Sequence, residues 1–436
     1  MFCYIIVANK RKQEVTMNIN EMLKGVSCAC GKFHTCPIES IYVEKGAISH
    51  LAHLCASYKS ILLVADENTY SAAGKQTEIA LEGKNINKVI FTGKEVLIPN
   101  EDAINTVEND LCGNDLIIGI GSGVIQDLCK YVSFFNKIPY MVVATAPSMD
   151  GYASSGAAMI LKGMKETVSA GLPLAIVADT DVLCNAPLEM IKAGFGDIIG
   201  KYSALNDWKL ATAVNGEFFC DYIYNTTYDM INETLNAAHG LLSREKKSIE
   251  AVTRALMVVG IMMSFLGNSR PASGSEHHLS HFFEITGIVK NEPYFPHGID
   301  VFYSTYVTAK IREELLSLSY DKKQFTPERQ DYEKDIRSAY GVVADGCIEL
   351  QDKVGNYKKD RGSVYFSKEA EIKAILSEMP TADKIKELLD LVELDLNEFY
   401  SLYKEEKINT AIKYAKDLKD RYSVLWMNYD LRGEAL

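Results

Sequence analysis

Four of the chain's eight histidines fall between Glu276 and His297. His277 and His281 stand four apart in Glu276-His277-His278-Leu279-Ser280-His281, and on a helix that spacing puts both imidazoles on one face. His297 follows in Pro296-His297-Gly298, read as a loop that opens the next helix. Upstream, Asp197 closes Gly194-Phe195-Gly196-Asp197, read as the start of a helix running into Lys201 and Tyr202. One aspartate with two histidines is an oxygen and nitrogen donor set suited to Zn²⁺ or Fe²⁺, with positions left open for substrate and water. Ni²⁺ suits imidazole donors too. A lone histidine is more often a satisfied core or surface residue than a ligand; the clustering and the i,i+4 pair favour ligands here. His278 points off the shared face and is left out.

Two further stretches could hold an anion. The loop Asn268-Ser269-Arg270-Pro271-Ala272-Ser273-Gly274-Ser275 is small and polar, and it precedes the histidine helix, whose N-terminus would favour negative charge. Arg270 and Lys201 are the candidates for a substrate phosphate, with a surface salt bridge as the alternative for either. The second stretch is Gly119-Ile120-Gly121-Ser122-Gly123, at the end of an apolar strand and the start of a helix carrying Asp127. Glycines let a backbone approach a phosphate, and the helix start offers free N–H groups. The run is not Gly-x-Gly-x-x-Gly, and it follows a later strand than the first. Asp66 ends the earlier strand, where a carboxylate could accept hydrogen bonds from an adenosine ribose or simply cap the next helix.

Cys28, Cys30, His34 and Cys36 form a compact cluster. It could bind a metal, but structural zinc sites usually show two separated ligand pairs, and no second pair lies nearby. The expectation is a reduced loop. Cys55, Cys129 and Cys220 sit at apolar positions, as buried free thiols do in a reducing compartment.

These residues need elements to carry them. Apolar runs without strict alternation occur at Ile61–Val64, Val89–Phe91, Leu116–Ile120, Met141–Ala144 and Leu174–Ala178, as expected for strands buried on both faces of a parallel sheet. Helical patterns such as Ser71–Leu81 and Val124–Phe135 lie between them, so an α/β unit is predicted. After about Pro187 long amphipathic segments dominate, including Tyr222–Leu242, Ser248–Leu266 and Ile299–Leu318. Charged helices continue through Lys368–Leu376 and Ile385–Leu391. Residues 17–187 read as a nucleotide-binding α/β domain with a parallel sheet, and 188–436 as an all-α domain. The cleft between them is the expected site.

At 436 residues the chain exceeds what one core usually supports. The net charge of -12 argues against a duplex nucleic acid as partner, and Lys10-Arg11-Lys12 reads as a solvated loop. No apolar run approaches the roughly 18 residues of a membrane span. Met1–Ala8 lacks the flanks of a signal peptide, and Met17 is a second possible start. A cytoplasmic location is expected.

The motifs taken in order resemble those of the sn-glycerol-1-phosphate dehydrogenases, within the wider group of iron-type alcohol dehydrogenases, glycerol dehydrogenases and dehydroquinate synthases. The resemblance runs from about Ser40 to about residue 305 and rests on five segments. These are Gly-Ser-Gly-Val-Ile-Gln-Asp (121–127), Thr-Ala-Pro-Ser-Met-Asp-Gly-Tyr-Ala-Ser (145–154), Gly-Phe-Gly-Asp (194–197), Ser-Arg-Pro-Ala-Ser-Gly-Ser-Glu-His (269–277) and His297-Gly298. The N-terminal Cys/His stretch looks like the longer bacterial branch. One departure is Ile299-Asp300 after His297-Gly298, where many relatives carry Glu or a small residue.

The resemblance implies a dehydroquinate synthase-like fold, NAD(H) or NADP(H) as cofactor, and one divalent metal, Zn²⁺ first and Ni²⁺ or Fe²⁺ next. It implies that Asp66 contacts the adenosine side. Gly121, Ser122, Gly123, Val124, Ile125 and Asp127 would hold the pyrophosphate, and Thr145, Ser148 and Ser154 would line the nicotinamide. Asp197, His277 and His297 would hold the metal, with Asp150 and His281 at the substrate, a small phosphorylated triose or glycerol. Reduction of dihydroxyacetone phosphate would then use the metal as Lewis acid, the nicotinamide as hydride donor, His281 as proton source and Asp150 to orient the C3 hydroxyl. The resemblance also implies a homodimer or larger homo-oligomer. Three other readings remain: a glycerol or small-alcohol dehydrogenase on the same fold, a dehydroquinate synthase-like lyase, and a silent dinucleotide-binding protein.

Overall fold

The computed structural model describes residues 18–94, 97–161 and 164–433. Met1–Ala8, Lys10-Arg11-Lys12 and the choice of Met17 as a start lie outside the described residues. The first strands are a short antiparallel hairpin, β1 (Val26–Ser27) and β2 (Phe33–His34). Then come β3 (Ser40–Glu44), β4 (Ser60–Asp66), β5 (Asn85–Phe91), β6 (Leu116–Gly121) and β7 (Tyr140–Ala144). A second hairpin, β8 (Gly156–Leu161) and β9 (Met164–Ser169), precedes the last strand, β10 (Ala175–Asp179).

The six long-range strands form one parallel sheet in the order β3-β10-β7-β6-β4-β5. All five expected strands are in it. β3 joins as an unforeseen edge strand, only half-buried along its length. The apolar runs lack alternation because both sheet faces are covered. Ile61, Leu63 and Ala65 of β4 enter one core, and Leu62 and Val64 enter the other. Burying each such Leu, Ile or Val contributes about 1.5–3 kcal/mol relative to exposure.

The chain moves from β4 outward to β5, then returns to the other side of β4 for β6, β7 and β10. The strand order therefore reverses between β4 and β6, and open parallel sheets take ligands at the C-terminal strand ends beside such a reversal. Asp66 ends β4 and Gly121 ends β6, so these two residues flank that crevice.

Beyond Asp179 the fold is helical. The long helices are Leu188–Asn215, Asp221–Ala237, Lys246–Leu266, Ser275–Lys290 and His297–Ser317, and shorter ones continue to Arg432. Glycines 216 and 267 close two of them in the left-handed conformation that a C-terminal cap requires. The helix Lys246–Leu266 is long and apolar enough to cross a membrane, which the sequence reading had missed. It is a core helix: 78% of its most apolar window is buried inside the protein.

Candidate active site

Asp197, His277 and His297 come together from three helices, and their ligand atoms all lie within 4.8 Å of one another. Asp197 is not at a helix start, as the sequence suggested. It lies in the tenth position of Leu188–Asn215, which Pro187 caps. Gly194 and Gly196 are helix-interior residues that allow close packing. A Cβ at Gly194 would fall 1.7 Å from the Pro147 carbonyl oxygen, and one at Gly196 would fall 2.4 Å from that of Gly298. Removing these side chains is what lets the helix reach the loop 145–150 on one side and the start of the His297 helix on the other.

His277 Nδ1 lies 2.7 Å from Glu276 Oε1. Donation of Nδ1–H to this carboxylate leaves the Nε2 lone pair facing Asp197, whose Oδ1 is 3.6 Å away. Burial, followed by the charges of Lys201 and His297, pushes His277 well below the ordinary imidazole value, so the ring is neutral and able to ligate. The His277 and His297 ring centroids are 5.1 Å apart, and His281 stacks on His297 at 5.4 Å. The i,i+4 face expected for His277 and His281 is thus formed, with His281 one turn further along the helix.

Lys201 is fully buried between two carboxylates, its Nζ 2.6 Å from Asp150 Oδ2 and 2.6 Å from Asp197 Oδ1. It also donates to the Ala272 carbonyl at 3.0 Å. Burial opposes its charge, but Asp150 and Asp197 outweigh that and hold the ammonium above its usual range. Burial, then the Asp197 charge, pushes Asp150 up, while Lys201 pulls it back. The Asp150 N–H donates to Asp197 Oδ2 at 3.0 Å, so loop 145–150 and the helix that carries Asp197 are joined directly.

On the sheet side, Gly121 ends β6 and the helix Gly123–Asn136 begins with Ser122 as its cap residue, whose side chain makes no capping bond. Val124, Ile125 and Asp127 lie in its opening turns. Gln126 fixes the turn by donating to the carbonyls of Gly119 at 2.9 Å and Gly121 at 3.2 Å. Thr145 donates its N–H to the Gly121 carbonyl at 3.3 Å, which sets the Thr145–Ser148 loop beside the glycine turn. Ser154 Oγ donates to the Gly151 carbonyl at 3.1 Å. Lys130, not singled out from the sequence, is buried against Asp127 at 3.5 Å and donates to the carbonyls of Gly151 and Gly156. It fastens the glycine-turn helix to the segment that carries Asp150.

The chain is similar to known proteins. A family model described as iron-containing alcohol dehydrogenase matches residues 42–187. A glycerol-1-phosphate dehydrogenase [NAD(P)+] of Geobacillus thermodenitrificans is 33% identical, over 75% of this chain and 82% of that protein. One of Bacillus licheniformis is 30% identical, over 92% of this chain and 91% of that protein.

The chain belongs to the glycerol-1-phosphate dehydrogenase family.

The fold alone is shared more widely. The iron-containing alcohol dehydrogenase of Thermococcus thioreducens superposes with a TM-score of 0.58 at 15% identity, over 88% of this chain and 91% of the other.

Within this family member, the loop before the histidine helix is engaged largely by the protein's own groups. The Arg270 guanidinium is buried and held on one edge by the Glu217 carboxylate, with Nε 2.7 Å from Oε1 and Nη2 2.5 Å from Oε2, while its buried Nη1 has no hydrogen-bond partner among the described residues. The N-terminus of Ser275–Lys290 is also taken: the Ser275 N–H donates to buried Asp207 at 2.6 Å, and the Gly274 N–H to Glu276 at 2.9 Å. Asp207 in turn accepts from Arg312 at 2.7 Å and from the Val424 N–H at 2.8 Å, fixing the helix Leu188–Asn215 to the C-terminal helix. Asp66 caps its helix, with Oδ1 accepting from the N–H groups of Asn68 and Thr69.

Glu276, Asp207 and Arg421 were missed. The signal for Glu276 was its place beside His277. Asp207 and Arg421 gave none, since their partners are far along the chain. Arg421 donates to the Ser273 carbonyl at 3.1 Å, next to the Ala272 carbonyl used by Lys201. Burial, then the like charge of Arg270, lowers it to about 10.

Proposed function

We propose that this protein reduces dihydroxyacetone phosphate to sn-glycerol 1-phosphate, reversibly, with NADH or NADPH. The observation that carries the reading is the convergence of Asp197, His277 and His297 beside Lys201, Asp150 and His281. The donor set fits a divalent ion: one carboxylate, two imidazoles, and a neutral His277 oriented by Glu276. Zn²⁺ heads the candidates, with Ni²⁺ and Fe²⁺ behind it. When bound, the ion supplies Lewis acidity toward the ketone and the reduced nicotinamide supplies the hydride.

The protein's own groups do the rest. Asp66 and the turn Gly121–Asp127 flank the crevice at the strand reversal and hold the dinucleotide, adenosine toward Asp66 and pyrophosphate on the helix start. Thr145, Ser148 and Ser154 line the nicotinamide end. Asp150, held by Lys201, orients the substrate's free hydroxyl. His281, stacked on His297, supplies the proton to the alkoxide oxygen. Arg270, whose Nη1 is left over from the Glu217 pair, and Arg421 are the cations for the substrate phosphate. Residues 17–187 form the dinucleotide-binding part and 188–436 the metal- and substrate-binding part, in a homodimer or larger homo-oligomer of the cytoplasm. The buried thiols of Cys55, Cys129 and Cys347 suit that reducing compartment.

NADH oxidation tests the reading. Turnover with dihydroxyacetone phosphate and none with dihydroxyacetone is expected. Equal rates with the two would move the assignment to a small-alcohol dehydrogenase.

A further inference from the structure

Far from Asp197 in the sequence, the hairpin β1–β2 carries Cys28 and Cys30 in its turn and His34 on its second strand. Cys220 reaches the same point from the cap position of the helix Asp221–Ala237. Sequence spacing had grouped Cys36 with the first three, but Cys220, 192 residues from Cys28, completes the cluster instead.

We propose that Cys28, Cys30, His34 and Cys220 bind one zinc ion, a structural site distinct from the catalytic centre. The four donor atoms lie within 4.8 Å of one another. A tetrahedral ion with the usual zinc bond lengths needs S···S edges of about 3.8 Å and S···N edges of about 3.6 Å. Cys28 Sγ lies 3.5 Å from Cys220 Sγ, and His34 Nε2 lies 3.3 Å from Cys30 Sγ and 3.5 Å from Cys220 Sγ. Those edges suit one ion.

The surroundings are those of a built site. His34 is buried, and its Nδ1 donates to the Phe265 carbonyl at 3.2 Å, which turns the Nε2 lone pair toward the three sulfurs. The turn that presents the thiols is pinned as well. Cys28 N–H donates to the Lys32 carbonyl, Gly31 N–H to the Cys28 carbonyl, and Cys30 N–H points at Cys28 Sγ at 3.5 Å. Gly31 holds a φ of +85°, which a residue with a side chain rarely adopts. Three thiolates and one imidazole with no open position define a structural zinc centre. Such an ion would staple the hairpin ahead of β3 to the helices that begin at Asp221 and end at Leu266. The competing use of the same sulfurs is a Cys28–Cys220 disulfide, which would leave Cys30 and His34 without a role.

Zinc-edge X-ray absorption and cobalt substitution on the full-length chain test this, because the catalytic donor set contains no sulfur. The proposal expects sulfur neighbours at the zinc edge and an intense sulfur-to-cobalt charge-transfer band in the near ultraviolet. Cys220→Ser should lose that band and one metal equivalent per chain. Zinc with only nitrogen and oxygen neighbours would overturn it, as would a Cys28–Cys220 disulfide in protein prepared with its metal. The wild-type spectra decide the question even where the variant does not fold.

Discussion

Glu276 Oε1 lies 2.7 Å from His277 Nδ1, and this contact decides which ring nitrogen faces Asp197. Outer partners of this kind fix the tautomer and orientation of a ligating histidine. Glu276→Ala is therefore expected to weaken metal binding about 10–100-fold, with the three ligands intact. Competition against a fluorescent chelator measures it. Unchanged affinity would show that His277 is oriented by its packing alone.

Lys201 is in contact with both Asp150 and Asp197. Removing one partner of a buried ion pair leaves the other charge uncompensated, at about 3–5 kcal/mol. Lys201→Met should lose that much stability in the metal-free protein. It should lose less with metal present, because the ion restores positive charge beside Asp197. Urea unfolding with and without saturating Zn²⁺ reads both numbers, and equal losses would contradict the electrostatic role.

Asp300 is fully buried in the helix His297–Ser317, and the helix starts normally at His297. The Tyr403 hydroxyl lies 2.8 Å from both its oxygens. Burial drives its pKa well above the carboxylate range. The sign follows: above the unfolded value of about 3.9 and below the folded one, the native state binds more protons than the unfolded state. Stability should fall as pH rises through that window, by at most about 1.4 kcal/mol per unit. Asp300→Asn should flatten the slope in chemical unfolding measured between pH 5 and pH 8. An unchanged slope would place the titration elsewhere.

Arg421 meets the Ser273 carbonyl beside the loop that Lys201 holds. A lost hydrogen bond to a charged group is worth about 1.5–3 kcal/mol. Arg421→Gln should raise KM for dihydroxyacetone phosphate tenfold or more, with KM for NADH unchanged. An equal rise in both would point to a general distortion.

Much of this was readable from residue order. The sheet was legible because strands covered on both faces must be apolar throughout, as Leu116–Gly121 is. The half-exposed edge strand Ser40–Glu44 lacks that mark. Four-residue spacing placed His277 and His281 on one face, since that relation is local. Asp197 was misplaced toward a helix start because Gly194 and Gly196 look like loop residues until Pro147 and Gly298 pack against them. Long-range pairings were invisible. Arg270 finds Glu217 across 53 residues, and Cys220 finds Cys28 across 192. Only the folded chain reveals that the first pair anchors Arg270 and the second completes a thiol cluster.

Metal restoration of activity tests the central claim most directly. The protein would be stripped by chelator and titrated with Zn²⁺, Ni²⁺ or Fe²⁺ while NADH oxidation by dihydroxyacetone phosphate is followed. Activity should vanish on stripping and return in wild type as ion is added. In His277→Ala it should stay absent at the same ion concentrations. Full turnover in the stripped protein, or in His277→Ala, would contradict a reaction built on Asp197, His277 and His297.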